Sequence, residues 1–190
     1  MTANRFPYHS LRLESERLTL RPFLEADFGT ALPFYRDPDF VNLMEGDPPD
    51  EVSVEYLMRA GESMARQGFF FAIEEKETGD TIGEVCLQWM NLDRANVEPG
   101  EKVTRLPIGI WDKRLWGRGY GSEVVRRLIA YAFEVLEVDR FCAMDVKVTN
   151  TRSRALWASC GLRPVREVGD HVDFEVSKER YFKGHESIED

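Results

Sequence analysis

The chain is poor in the residues that build disulfide frameworks, metal centres and membrane spans. Its 190 residues include three cysteines and three histidines. Cys86, Cys142 and Cys160 are odd in number and lack metal-type spacing, and His9, His171 and His185 are scattered. Neither a disulfide scaffold nor a zinc site is expected, and no metal is called for. The cysteines read as small buried apolar residues in a reducing compartment. No apolar run approaches the ~18 residues of a bilayer span. No basic-then-apolar leader opens the chain, so a cytoplasmic protein without a membrane partner is expected. Positive charge is also short: 25 Lys and Arg stand against 34 Asp and Glu, for a net charge of −9. A nucleic-acid surface would be basic, so no nucleic-acid partner is expected. The acidic balance serves solubility, and it would also attract a cationic amine. Repeats and low-complexity segments are missing as well.

What is present is the usage of one globular domain, 43% hydrophobic and 31% charged. Its chemistry gathers at Trp116-Gly117-Arg118-Gly119-Tyr120-Gly121-Ser122. An apolar run from Leu106 to Trp111 precedes this stretch and reads as a strand. Val125, Leu128, Ile129, Ala132 and Leu136 follow it at helical spacing. A strand thus leads into a glycine loop that opens a helix. The first N–H groups of a helix have no partner within it, and the dipole is positive at that end. Glycines let the backbone approach a pyrophosphate there.

A dinucleotide loop shares these parts but places an acid on a second strand about 20 residues later. Asp139 lies before the next apolar run instead of closing it, and no βαβ unit opens the chain. No Gly-Lys-Ser/Thr follows, so a P-loop is excluded. A nucleotide site on the same loop remains an alternative.

After a strand at Phe141–Val148 comes a second motif, Asn150, Ser153 and Trp157, then Cys160-Gly161-Leu162. The two motifs in this order resemble the GNAT superfamily of acyl-CoA-dependent N-acyltransferases. The pyrophosphate loop of that family is matched from Trp116 to Gly121 at all but its first position. Trp116 there, and Glu16-Arg17-Leu18-Thr19-Leu20-Arg21-Pro22, resemble the RimJ/RimL-like branch of ribosomal-protein alanine N-acetyltransferases. The likeness covers about residues 14–182.

The resemblance implies an α+β fold with α/β/α layers. Its central sheet is mixed and mostly antiparallel, with about seven strands, the fourth and fifth parallel and splayed, and about four flanking helices. It implies a single acetyltransferase domain over 14–182, between a flexible arm at 1–13 and a polar tail at 183–190. The reaction is transfer of acetyl from acetyl-CoA to a primary amine, on a small molecule or a peptide. A catalytically silent acyl-CoA-binding module is the alternative. The family's usual tyrosine is replaced by Trp157, which reads as packing or a pocket wall.

The resemblance also assigns sites. Gly117, Arg118, Gly119, Gly121 and Ser122, with Trp116 and Tyr120, would hold the pyrophosphate. Backbone groups of Ile110, Trp111 and Asp112 would hold pantetheine. Asn150 reads as a helix N-cap and as a pantetheine contact. Ser153 is a partner for the leaving sulfur. Glu84 and Glu101, with Asp112 near the loop, are the general-base candidates.

Local signals fill in the rest. Leu18–Arg21 is a strand. Glu25-Ala26-Asp27 opens a helix that Pro33 should interrupt. Arg36–Asp39 is a turn, Asn42–Asp50 a loop, and Ser53 caps a helix ending near Gly68. Phe69–Ile73 and Ile82–Met90 form a hairpin whose phenylalanines read as core. Asn91–Glu101 is a polar insertion, a lid or a dimer contact, which leaves monomer and homodimer open. Val103–Trp111 must break or bulge at Pro107, where the splay is expected. Pro164–Val168 and Val172–Ser177 make a last hairpin.

Overall fold

A computed structural model describes residues 6–43 and 51–186, with side chains to 184. The expected loop Asn42–Asp50 therefore lies, from position 44 on, outside the described residues.

Nine strands form one sheet: β1 (Leu13–Glu14), β2 (Leu18–Pro22), β3 (Gly68–Glu75), β4 (Thr81–Trp89), β5 (Val103–Arg105), β6 (Ile108–Ile110), β7 (Arg140–Lys147), β8 (Arg163–Val168) and β9 (His171–Ser177). They run in the order β1-β2-β3-β4-β5-β7-β9-β8, with β6 attached to β4 alone. All pairs are antiparallel except β5 with β7. The described residues also form six α-helices, α1 (Asp27–Tyr35), α2 (Pro38–Val41), α3 (Val54–Ala65), α4 (Tyr120–Glu134), α5 (Thr151–Ser159) and α6 (Lys178–Glu186). Two strands beyond the seven expected come from Leu13–Glu14 and from the division of Val103–Trp111 at Pro107.

Alternation along β3 and β4 sorts side chains to the two faces. Phe71, Ile73, Val85 and Leu87 join the cluster under α4. Phe70, Ala72 and Cys86 join the second cluster, under α1 and α3. Both faces are covered, which is why these strands read as nearly continuous apolar runs. Glu84 shares the face of Cys86 and so points into the second cluster.

The helix α1 is fixed to the sheet by a buried ion pair. Arg21 on β2 donates to both oxygens of Asp27, at 2.7 and 2.8 Å, and its Nε donates to Glu74 at 2.8 Å. Asp27 also accepts from the Leu24 amide at 2.8 Å. Pro33 does not interrupt this helix, which continues to Tyr35. Only two residues follow the proline, and its flanks are packed: Phe28 is buried and Phe34 stacks on Trp111. Packing outweighs one missing backbone bond. The expected turn at Arg36–Asp39 is partly helical, since Pro38 takes the first position of α2 and the Asp37 carboxylate caps the Asp39 amide. Ser53 caps α3 as expected.

The ends are less separate than the domain boundaries suggest. Phe6 is buried and meets Phe28 at a ring distance of 5.1 Å, and His9 Nε2 lies 2.9 Å from the Phe70 carbonyl. Packing therefore continues through the described part of the arm expected at 1–13. The tail expected from Lys183 begins inside α6, which is anchored where Tyr181 stacks on Phe133 at 4.9 Å.

The sheet opens at one place. The amide of Leu106 donates to Cys142 at 3.1 Å, which is the last rung between the parallel pair. Beyond Pro107, β6 follows β4, with Glu84 opposite Gly109. At the same level β7 bulges between Ala143 and Val146. Asp145 there has φ +55°, and its amide donates to the Asp173 carboxylate at 2.9 Å. A proline in one strand and a bulge in the other thus splay the pair.

Candidate active site

A groove of about 520 Å³ starts at the splay and runs past the glycine loop. Trp116 folds the loop back on β6, its indole N–H donating to the Ile110 carbonyl at 2.7 Å. Gly117 and Gly119 have φ of +75° and +84°, a region a Cβ disfavours. Gly119 is the N-cap of α4 and offers no side-chain acceptor. The first amides of α4 are therefore left to a ligand, at the positive end of the helix dipole. Gly117, Gly119, Gly121 and Ser122 line the groove beside them.

The loop is held from outside by Arg17. Its backbone N–H and its Nε each donate to the Glu123 carboxylate at 2.7 Å, while Nη1 donates to the Arg118 carbonyl at 3.0 Å. The guanidinium lies 4.5 Å from the centre of the Tyr120 ring. Tyr120 in turn donates its hydroxyl to Glu75 on β3. Arg152, at the first turn of α5, lies over Trp116 at 4.2 Å and lines the groove. In the sequence Arg17 stands only as part of the Glu16–Pro22 motif, with no role attached, and Arg152 is unmarked.

A second cavity of about 280 Å³ lies between α1, α3 and the broken strand. Glu84 faces it and is buried. Burial pushes its carboxyl up to about 7, even though the Tyr35 phenol donates to it. The Trp111 indole N–H makes no bond of full hydrogen-bond geometry, yet stands near enough to favour the charged carboxylate. Desolvation outweighs both donors. Burial and this carboxylate together hold the Tyr35 hydroxyl well above the usual phenol range.

The two cavities share Leu43, Ile108, Gly109, Asn150 and Ser153. Asn150 caps α5, its Oδ1 accepting from the Ser153 amide at 3.1 Å. Trp157, 3% exposed, donates its indole N–H to Ser153 Oγ at 3.0 Å. With that acceptor position filled, the serine hydroxyl proton is free to point elsewhere. On the other wall, Pro107 and Trp111 spend their backbone groups on β4, through Cys86 N to Pro107 O and Trp111 N to Ile82 O, both 3.0 Å. Antiparallel alternation then turns the amides of Ile108 and Ile110 toward the splay.

Most of the sequence-derived residues converge on this region, and four do not. Trp111 is not at the groove; it is 2% exposed in the aromatic cluster behind β6. The Asp112 carboxylate caps the turn Lys113–Leu115 and is bound by Arg114 at 2.6 Å, which holds it below the usual carboxylate range. Arg118 contributes its carbonyl to Arg17, and its side chain does not line the groove. Glu101 lies outside both cavities and is bound to Arg140 at 2.5 Å, which lowers its pKa. The Asn91–Glu101 insertion is tied down by that pair and by Arg94, which reaches Asp145 at 2.6 Å.

Known proteins agree with this arrangement. The acetyltransferase (GNAT) domain matches residues 17–163. An uncharacterized N-acetyltransferase p20 of Bacillus licheniformis is 29% identical over 171 residues, 88% of this chain and 89% of that one. The fold is shared with Mycobacterium smegmatis RimJ in complex with CoA-disulfide, with a TM-score of 0.67 and 19% identity over 94% and 97% of the two chains. It is shared also with Vibrio cholerae spermidine N-acetyltransferase in complex with CoA and spermine, with a TM-score of 0.69 and 16% identity over 87% and 98%. With the family match over residues 17–163, most of its length, the chain belongs to the GNAT acetyltransferase family.

Proposed function

We propose that this acetyl-CoA-dependent N-acetyltransferase uses Glu84 as its general base. Acetyl-CoA, when bound, supplies the thioester carbonyl that the amine attacks. The amides at the start of α4 and the loop glycines would hold its pyrophosphate, with Arg152 adding positive charge. The amides of Ile108 and Ile110 face the splay, where they can hold the pantetheine arm and polarise the carbonyl. Glu84 takes a proton from the acceptor ammonium, which leaves a neutral amine with a free lone pair. The C–N bond forms and the C–S bond breaks, the nitrogen's second proton passes through solvent to the departing thiolate, and Ser153, held by Trp157 and Asn150, directs its hydroxyl proton toward that sulfur. A thiol leaves readily near its ordinary pKa of ~8.5, so a hydrogen bond suffices.

The observation that carries this reading is the place of Glu84. It stands opposite Gly109, where the two cavities meet, with a carboxyl poised near neutrality. The test is thiol release from acetyl-CoA with an amine acceptor, comparing wild type with Glu84→Gln. A Glu84→Gln protein as active as wild type would remove the assignment.

A cytoplasmic setting fits as well. No described helix is long and apolar enough to cross a membrane, and all three cysteines are unpaired.

A further inference from the structure

Met144, Asp145, Val146 and Lys147 of β7 form one wall of the cavity that Glu84 faces, and none of them lines the groove beside the glycine loop. The bulge in β7 decides which way these side chains point. Ala143 pairs with Phe174 and Val146 with Val172, so Met144 and Asp145 together stand opposite Asp173. Phe141, Ala143 and Val146 all belong to the cluster under α4. Strict alternation from Phe141 and Ala143 would send Asp145 into that cluster, and the extra residue sends Val146 there instead. A slip of one residue would put the carboxylate in the core and exchange the faces of Val146 and Lys147.

The bulge is gripped from the Asn91–Glu101 insertion, no residue of which lines either cavity. The Asp145 amide donates to Asp173, which is 4% exposed. Arg94 stands over both acids, its Nη2 lying 2.6 Å from Asp145 Oδ1 and 3.5 Å from Asp173 Oδ1. It brings one positive charge to two carboxylates that repel each other. The turn that carries it is anchored in its own right. The Arg94 carbonyl accepts from Arg166 Nη1 on β8 at 3.0 Å, and the Asn96 carbonyl accepts from Arg140 Nη2 on β7 at 3.3 Å. Asp145 holds a left-handed φ of +55°, which a residue with a Cβ keeps only where its surroundings fix it.

Resting on the reading of the Glu84 cavity as the place of the acceptor, we propose that Arg94 is a positioning residue for the acceptor. From outside the cavity it pins the β7 bulge, and with it the register of the wall from Met144 to Lys147 against which the amine lies.

Hydrogen exchange, kinetics and calorimetry on Arg94→Ala test this together. Amide exchange over residues 143–148 should quicken about tenfold or more, with residues 82–87 of β4 little changed. Acceptor KM is read with whichever of 2-phenylethylamine, spermidine and a leucine-first dipeptide amide the wild type turns over fastest. It should rise about 3- to 10-fold, while CoA affinity in calorimetry stays within about twofold. Asp145→Asn breaks the same pair with a residue that tolerates positive φ, so it should reproduce both changes even where Arg94→Ala folds poorly. The double variant should raise KM no further than the larger single effect, because the two residues act as one unit. Exchange at the wild-type rate in the folded variants, an acceptor KM that does not move, or CoA affinity falling in step with it overturns the proposal. Turnover of none of the three amines removes the acceptor cavity and this proposal with it. Glu84→Gln measured alongside keeps the two readings apart. Full activity there with a raised KM in Arg94→Ala would remove the base and leave Arg94 in its role.

Discussion

Trp157 Nε1 donates to Ser153 Oγ at 3.0 Å, joining the core of the protein to the hydroxyl proposed to meet the departing thiolate. The indole sets the direction of a hydroxyl it does not replace. Ser153→Ala should lower kcat about 10-fold, because a positioned donor is worth roughly 1.4 kcal/mol. Trp157→Phe loses the orienting bond together with part of the core packing, so in a folded protein a fall of about 2- to 5-fold in kcat is expected, with some loss of stability. Initial rates at saturating acetyl-CoA separate the two. A larger loss from Trp157→Phe than from Ser153→Ala would make the indole itself the important group.

Glu84 connects activity to stability with opposite signs. Its folded pKa of about 7 lies above the ordinary 4.5, so the folded protein keeps a proton that the unfolded chain releases. Stability from this group is present below pH 4.5 and is lost as pH rises toward 7, by up to about 3 kcal/mol. Activity should rise over the same range, with an acidic limb of kcat/KM near pH 7. Glu84→Gln should abolish that limb and lower kcat/KM by roughly 100-fold or more. The same variant should melt above wild type at pH 8, with the difference shrinking at pH 5. Equal melting differences at the two pH values would contradict a buried, raised carboxyl.

Arg17 offers a split between the kinetic constants. It touches Glu123, Tyr120 and the Arg118 carbonyl, and it is remote from the reacting atoms. Arg17→Ala should raise KM for acetyl-CoA about 5- to 20-fold with kcat little changed, since it loosens a binding loop and not the chemistry. Arg17→Lys should restore only part, because one ammonium cannot reproduce the forked contacts. A fall in kcat with KM unaltered would place its role elsewhere.

Gly119 tests the loop without charge. Its φ of +84° makes any Cβ costly, by roughly 1 kcal/mol in Gly119→Ala. The added atom would also stand 3.4 Å from Arg17 Nη2. Gly119→Glu adds repulsion toward a pyrophosphate. Calorimetry with CoA should find weaker binding by alanine and little or none by glutamate. Unchanged affinity in folded Gly119→Glu would disconnect the loop from CoA.

Local chemistry is legible in the sequence, and distant pairing is not. The strand break at Pro107, the helix from Tyr120 and the cap at Asn150 follow from single residues and short periods. The fold adds β1 and α6 because two polar-looking ends carry a few apolar anchors, Leu13 and Tyr181, whose partners lie far along the chain. Glu84 and Glu101 look alike as sequence. One meets Tyr35 from 49 residues away and the other meets Arg140 from 39 away, which makes the first a poised acid and the second a strut. The backbone of Trp111 is expected beside pantetheine, but strand alternation spends its amide on the Ile82 carbonyl at 3.0 Å and turns its side chain to the opposite face. Arg17 is visible in the sequence as part of a motif, and its grip on a loop 101 residues later is visible only in three dimensions.

The break beyond Leu106 also has a mechanical meaning. It divides the sheet into two leaves, β1 to β4 with β6 on one side and β7, β9 and β8 on the other, joined by the short β5. The rungs that join the leaves run through β5 and stop at Leu106, so beyond it a change in their angle breaks no direct rung between β6 and β7. Compliance is therefore built into the architecture where two reactants of different shape must arrive and a bulkier product must depart. The amides of Ile108 and Ile110 are its natural gauges. Their exchange with deuterated solvent should be rapid while the leaves stand apart and should slow when CoA bridges them.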